Sequence, residues 1–509
     1  PAYGSRAGRA GFWKGGKSKV GVKPMTQFEP RNISMMMDLY EMTMANGYFG
    51  GGSADGPATF DVFYRRNPDG GGFAIFAGLE QVLDYLENIH FEKADIDYLR
   101  SLDIYEERFL EWLTDYRFRG TVTAMPEGSV MYPNEPILTV CASLIDAQLV
   151  ETAILNQINH QSLIATKTHR IVQAAQGRAV ADFGARRAHN VDAAVYGARA
   201  AYIGGAASTA TLLAGQIFGI PVSGTMAHSW VMYHDDEYTA FKQFAELYPD
   251  NSVLLVDTYD VFKSGIPNAI RVAREVLIPR GKRLKGIRLD SGDLAYLSKA
   301  ARRMLDEAGL TDCKIIASSS LDEFTIRSIL EQGGCIDAFG VGERLITARS
   351  DPVFGAVYKL VAVNKGKACY PKIKVSETFE KITNPGKKQV WRVYDGQGHA
   401  VSDLITLAEE TPNFSGDYPY VNPQRPWRTF VYSGCTARRM HELVMEDGRR
   451  VKPSPSLEDI RAYVKRQLEM EIWPEEQRFE NPHRHYLDMS PAYYRMKMEL
   501  LSKAQNGTL

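Results

Sequence analysis

The segment Ile220–Tyr233, I-P-V-S-G-T-M-A-H-S-W-V-M-Y, sets His228 inside Gly-Thr-x-Ala-His-Ser. A histidine on a loop leaving a strand end can act as general base, metal ligand or phosphoryl acceptor. A core histidine with one satisfied hydrogen bond is the plainer alternative. Its neighbours favour a ligand. Ser223, Gly224 and Ala227 let the backbone approach closely, and the hydroxyls of Thr225 and Ser229 can donate to phosphate or orient the ring. Asp182–Arg187, D-F-G-A-R-R, offers an aromatic face beside two guanidinium groups. Phe183 could stack a planar aromatic acid while Arg186 grips its carboxylate in bidentate fashion; a surface arginine pair with Phe183 in the core is the alternative. Arg288–Asp293, R-L-D-S-G-D, sets Arg288 and two carboxylates, Asp290 and Asp293, at one run end, which suits a sugar diol or a magnesium ion holding a pyrophosphate. Ser318–Ser320 and Gly340–Glu343 each follow an apolar run and precede helical sequence. Amides at a helix start bind phosphate, so Ser319, Gly340 and Gly342 are candidates there.

Something must hold these segments together. From Ala147 onward, helical stretches of roughly a dozen residues alternate with short apolar runs. The runs are Ala179–Phe183, Ile217–Val222, Val253–Val256, Gly286–Leu289, Lys314–Ala317 and Ile336–Gly340. Spacing of roughly 25–40 residues argues for repeated βα units and a parallel sheet. The polar and glycine-rich segments fall just after these runs, including Asp257-Thr258-Tyr259. In a closed (β/α) barrel such ends share one face, where the chemistry is done.

Earlier in the chain, Met25–Gly50 and Ile75–Asn88 read as helices and Ala58–Tyr64 as a strand, and Phe118–Val140 holds short strands broken at prolines. After about Tyr358 strand patterns return, and Pro453–Arg466 is helical. The expected fold class is α/β: an irregular (β/α) barrel-like domain plus a β-rich α/β domain built from N-terminal and later segments. The division is a flexible tail over 1–24, an N-terminal α/β part over 25–145, the barrel-like domain over 146–357, a β-rich segment over 358–450 and a helical extension over 451–509.

Composition narrows the function further. The chain of 509 residues carries a formal net charge of −1, so nothing global favours nucleic acid or acidic membranes. No apolar run approaches the roughly 20 residues that span a bilayer, and the basic first 24 residues lack a signal-peptide core. The five cysteines form no C-x-x-C pair; a structural zinc site and a disulfide framework are not indicated, and reduced thiols in the cytoplasm are the simplest reading.

Taken in order, these pieces resemble the nicotinate phosphoribosyltransferases. The matching stretches are D-L-Y-E-M-T-M-A (Asp38–Ala45), F-x-x-F-x-G-L (Phe73–Leu79), D-F-G-x-R-R (Asp182–Arg187), S-G-T-x-A-H-S (Ser223–Ser229), R-L-D-S-G-D (Arg288–Asp293), F-G-V-G-x-R-L (Phe339–Leu345) and N-P-H-x-x-x-L-D (Asn481–Asp488). The resemblance implies a type II phosphoribosyltransferase fold. It implies the reaction of nicotinate with 5-phosphoribosyl-1-pyrophosphate to nicotinate mononucleotide and pyrophosphate, with magnesium as cofactor and ATP hydrolysis coupled through a phosphohistidine. That histidine falls on His228. The substrate-binding tyrosine falls on Tyr40, contributed across a homodimer with shared active sites; the ring-stacking phenylalanine and carboxylate-binding arginine fall on Phe183 and Arg186. Arg288 and Asp290 would lie near base and ribose, and Ser319 and Gly342 in the phosphate cradle. Ser208 and Thr225 complete the substrate set.

Two departures stand out. The phosphate segment reads Ser318-Ser319-Ser320-Leu321-Asp322, where an Asn, Gly or Asp is expected among the serines. The segment Gly204–Thr209 has no acid, which favours a carboxylate substrate over nicotinamide. A nicotinamide or quinolinate phosphoribosyltransferase is the nearest rival. A sugar-phosphate lyase or isomerase on a (β/α) barrel would need a lysine such as Lys167 or Lys314, and a silent regulatory homologue would have lost His228, Arg186 or Asp290.

Overall fold

The computed structural model describes residues 31–52, 56–366, 368–376 and 381–507. The basic 1–24 segment lies outside the described residues. The chain divides into two compact units, one containing Lys167–Ser350 and the other joining Glu29–Thr166 to Asp351–Leu509. The division between the units falls inside the helix Glu151–Ala174 and at residue 350.

The Lys167–Ser350 unit is built on a six-stranded parallel sheet. Its spatial order is Ser208–Thr209, Ala179–Asp182, Ala338–Val341, Lys314–Ser318, Gly286–Leu289, Val253–Leu255. Val253–Leu255 and Ala338–Val341 are buried throughout, as expected of strands covered on both faces. Beyond Thr209, Val222 adds a single parallel bridge. No pairing among the described residues joins this edge to Val253–Leu255, so the sheet is open and the barrel closure expected from the βα rhythm is not found. The physical reason lies in Ile217–Val222, which does not form the expected strand. Leu212–Phe218 is helical, buries Ala214 and Ile217, and ends at Gly219 with φ 70°. Pro221 then supplies a carbonyl to Thr209 but has no N–H of its own, so the pairing stays local. Asp293 and Asp322 cap the helices Leu294–Glu307 and Glu323–Glu331, accepting the amides of Tyr296 and Thr325.

The second unit centres on a seven-stranded sheet. In it Pro57–Phe63 pairs antiparallel with both Leu138–Ser143 and Val357–Lys365, so early and late segments share one sheet. A four-stranded sheet holds Thr436–Arg439, Lys388–Tyr394, Ala400–Leu407 and Tyr486–Met489. Inside it Arg392 and Asp403 form a bidentate pair at 2.9 and 2.7 Å, both side chains fully buried. Two expected helices are shorter than their periodicity suggested. The first spans Leu39–Gly50 after an Asp38 capping box; the part before residue 31 lies outside the described residues. The second spans Leu79–Asn88, because Ala74–Ile75 pairs as a strand and Gly78 turns the chain at φ 102°, where a Cβ would sit 2.7 Å from the Gln157 carbonyl oxygen. Among the described residues no helix is long and apolar enough to cross a membrane.

Candidate active site

Because the sheet is parallel, its carboxyl ends deliver their loops to one edge. His228 opens the short helix His228–Tyr233. Its Nδ1 lies 3.1 Å from Thr258 Oγ1. Its Nε2 lies 4.0 Å from Asp257 Oδ1 and 3.7 Å from Asp290 Oδ2, beyond hydrogen-bond range. The ring stays 39% exposed, so one nitrogen is held by a hydroxyl while the other faces two carboxylates and remains reachable.

Asp257 has one oxygen satisfied and one not. Oδ2 accepts the Asp290 amide and the Ser291 hydroxyl, each at 2.8 Å. Oδ1 is buried with no hydrogen-bond partner among the described residues. A buried carboxylate oxygen without a donor is costly, which points to a cation or donor supplied from outside. Asp290 accepts Arg288 Nη2 at 3.0 Å and the Ser318 hydroxyl. Burial pushes its carboxyl upward, but Ser318, Arg288 and His228 together outweigh burial and hold it below the usual carboxylate range. Arg288 also donates from Nε to Ser318 at 2.9 Å and from Nη1 to Thr225 Oγ1 at 3.0 Å and the Met226 carbonyl at 3.3 Å. Its guanidinium carbon stands 5.6 Å from the centre of the Phe183 ring.

Phe183 lines a cavity of about 210 Å³, with Ser208, Ser223, Thr225, Ile316 and Gly340 also in its wall. That volume is small for a ligand pocket and suits a single ring. The Phe183 amide donates to the Val341 carbonyl at 2.8 Å, and the ring packs closely against Gly340. Ser208 and Ser223 share a hydroxyl hydrogen bond at 2.6 Å in the buried wall. Arg186, in the turn Ala185–Arg187, is exposed and forms no hydrogen bond or ion pair among the described residues.

Ser319 and Ser320 both adopt positive φ, 99° and 44°, a consecutive left-handed pair that non-glycine residues avoid. The Asn, Gly or Asp that the sequence lacks at this position would tolerate that geometry better. Gly342 caps the turn Glu343–Ile346. Arg344 Nη1 reaches Asp322 Oδ2 at 2.5 Å, tying the two candidate phosphate segments together.

Within the Lys167–Ser350 unit the structure therefore brings His228, Asp290, Arg288, Thr225 and Ser318 into one cluster, with Phe183 beside Arg288 and Ser208 in the adjoining cavity. Tyr40 belongs to the other unit, 43% exposed on the helix Leu39–Gly50, whose Leu39 and Met44 are exposed with it, as is Met36 just before the helix. Its hydroxyl is raised well above its ordinary value by burial, Glu151 and Glu41. Ser223, beside His228 in its motif, and Asp257 and Thr258, directly after an apolar run, join the site, although their sequence context assigned none of the three a role. Lys167 and Lys314 are not free amines: Lys167 Nζ is held by Glu323 at 2.8 Å and Ser350 at 2.7 Å, and Lys314 by Asp337 at 3.0 Å. The second unit has its own cavity of about 1110 Å³, whose wall includes Arg65, Arg66, Arg484 and Lys497. Burial and Lys388 bring the Lys497 amine down to about 8.

Three family descriptions match successive parts of the chain: the nicotinate phosphoribosyltransferase N-terminal domain over residues 35–159, the nicotinate phosphoribosyltransferase family over 178–397, and its C-terminal domain over 387–497. The nicotinate phosphoribosyltransferase of Bacillus subtilis is 45% identical over 485 residues, covering 94% of this chain and 97% of that protein. The Homo sapiens enzyme of the same name is 31% identical, with 90% and 94% covered. Among solved structures, human nicotinic acid phosphoribosyltransferase superposes with a TM-score of 0.81 at 29% identity, covering 91% of this chain and 99% of that one. A Pyrococcus furiosus nicotinate-nucleotide pyrophosphorylase gives 0.65 at 25% identity, covering 86% and 95%.

Proposed function

Because the chain belongs to the nicotinate phosphoribosyltransferase family, we propose that it transfers the phosphoribosyl group of 5-phosphoribosyl-1-pyrophosphate to nicotinate, in NAD biosynthesis. The observation that carries this reading is a one-ring cavity, walled by Phe183 and the Ser208–Ser223 hydroxyls, opening beside the Arg288–Asp290–His228 cluster.

Each residue then has a task. Phe183 stacks the pyridine ring, and Arg186, unpaired and exposed, takes the carboxylate. The cavity wall holds no acid to accept an amide N–H, which favours nicotinate over nicotinamide. Departure of pyrophosphate leaves positive charge on the ribose. Asp290, kept ionised by Arg288 and Ser318, stabilises that charge. Thr225 and the amides around Ser319, Gly340 and Gly342 bind phosphate oxygens. Holding ring and sugar together supplies most of the acceleration.

Asp257 and Asp290 fit a magnesium ion. One oxygen of Asp257 lacks a partner, and magnesium commonly takes only one or two protein carboxylates, completing its shell with water and phosphate oxygens. When bound, magnesium neutralises the leaving pyrophosphate. His228 is the phosphoryl acceptor for ATP. Thr258 holds Nδ1, leaving Nε2 as the nucleophilic atom; the carboxylates facing it repel an incoming phosphoryl group unless a cation screens them. The exposed stripe of Met36, Leu39, Tyr40 and Met44 supports a homodimer in which Tyr40 serves the partner copy's site.

Incubation with nicotinate, phosphoribosyl pyrophosphate and magnesium, with and without ATP, tests the reading. Nicotinate mononucleotide is expected, and faster with ATP at low substrate. Product only from nicotinamide or quinolinate would overturn it.

A further inference from the structure

Asp182 ends the strand Ala179–Asp182 and is 1% exposed. Its two carboxylate oxygens point to two different parts of the base site. Oδ1 accepts the Gly184 amide at 2.8 Å, closing the turn that carries Phe183 and Arg186. Oδ2 accepts the Thr209 hydroxyl at 2.8 Å, in the residue that follows Ser208. Thr209 Oγ1 in turn accepts the Thr211 amide at 3.0 Å, and the Asp182 carbonyl accepts the Ala210 amide at 2.8 Å. Side chain and main chain of one residue thus pin both the stacking turn and the strand that carries a cavity hydroxyl.

Burial raises the Asp182 carboxyl above the usual carboxylate range against the pull of both hydrogen bonds. A well-packed apolar residue would avoid that cost, so energetics alone do not account for an acid here. What the acid supplies is a rigid two-ended acceptor. Phe183 has little freedom of its own, since its amide is bound to Val341 and its ring lies against Gly340. Ser208 and Ser223, paired in the same cavity wall, adjoin the Thr209 segment that Asp182 docks.

We propose that Asp182 is a positioning residue that fixes the separation between the Phe183 ring face and the Ser208–Ser223 hydroxyl pair, and thereby selects the pyridine acid by the position of its carboxylate. This rests on the nicotinate-transferring reading above. Asp182 need not touch substrate; it acts through Gly184 and Thr209.

Thr209→Val removes the hydroxyl and keeps the shape, while Thr209→Ser keeps the hydroxyl. Both are compared with wild type for KM and kcat with nicotinate, KM for phosphoribosyl pyrophosphate, thermal midpoint, and relative rates with pyridine-2-, -3- and -4-carboxylates. Thr209→Val is expected to raise the nicotinate KM by roughly tenfold, leave the phosphoribosyl pyrophosphate KM within twofold, and narrow the preference for the 3-carboxylate; Thr209→Ser restores all three. A folded Thr209→Val protein with unchanged nicotinate KM and unchanged preference overturns the inference, as does a fall in thermal midpoint alone. Should Thr209→Val be too unstable to assay, Asp182→Asn, which keeps one acceptor for Gly184, is measured the same way and judged by the same outcomes. Wild-type protein with no activity on any pyridine carboxylate refutes the functional reading instead, which keeps the two failures apart.

Discussion

Gly340→Ala gives a sharp test of the base site. Gly340 lies in a buried strand without positive φ, so alanine costs nothing in backbone conformation. The cost is contact. An added Cβ would lie 2.4 Å from Phe183 Cε2 and 2.5 Å from Cδ2, where ordinary contact begins near 3.4 Å. The ring must therefore give way by about 1 Å. Retreat is blocked, because the Phe183 amide is bonded to Val341, so the ring has to swing within the 210 Å³ cavity or out of stacking position. Overpacking of this kind costs about 1–3 kcal/mol of stability. A 1 Å error at a reacting group costs about a hundredfold in rate, equivalent to roughly 2.7 kcal/mol.

We expect Gly340→Ala to fold, with its thermal midpoint lowered by a few degrees and kcat/KM for nicotinate reduced roughly a hundredfold. Initial rates of mononucleotide formation at saturating phosphoribosyl pyrophosphate measure this. A Gly340→Ala enzyme within threefold of wild type would refute the claim that this wall locks the ring.

His228→Ala is expected to abolish ATP stimulation while leaving slow ATP-independent transfer, read from the apparent KM with and without ATP. Arg288→Lys keeps the charge but cannot reproduce contacts to Ser318, Thr225, Met226 and Asp290 together, so kcat/KM should fall by at least about tenfold with little change in thermal midpoint. If active sites are shared, co-expressed Tyr40→Ala and Arg288→Ala chains should regain about a quarter of wild-type activity, from the mixed dimers alone; no recovery over either parent would refute sharing. Burial lowers the His441 pKa to about 4, its Nε2 donating to the Pro136 carbonyl at 2.7 Å. The unfolded chain binds that proton first, near pH 6.5, so His441 favours folding above that pH and loses the contribution as pH falls toward 4, by at most about 3 kcal/mol. Thermal midpoints from pH 7.5 to 4.5 should fall less steeply for His441→Gln than for wild type.

Much of the parallel sheet was legible because strands buried on both faces leave apolar runs in the sequence, as Val253–Leu255 and Gly286–Leu289 do. Ile217–Val222 misled for the same reason. A short apolar run cannot by itself distinguish strand from buried helix; here Gly219 and Pro221 decided, ending a helix that Leu212 began. Barrel closure was not legible either, since it depends on pairing between the two edges of the sheet, and nothing local in either edge encodes that meeting. The roles of Thr258 and Ser223 were not legible because threonine and serine are common after strands; only their partners, His228 and Ser208, mark them.

Residue order alone set out the chemistry available: a histidine, a paired arginine and aspartate, an aromatic face, and glycines and serines after apolar runs. Those properties reside in residue types and local spacing, which read out without coordinates. Who acts on whom came from long-range pairing. Asp257 and Asp290, 33 positions apart in sequence, both face His228 only because their strands are parallel and adjacent, so that their ends emerge side by side. Phe183 is held by Gly340, far away in sequence, because the strands Ala179–Asp182 and Ala338–Val341 pair directly. Distances of this kind arise from long-range pairing, whose energy is a property of two segments at once and is written in neither alone.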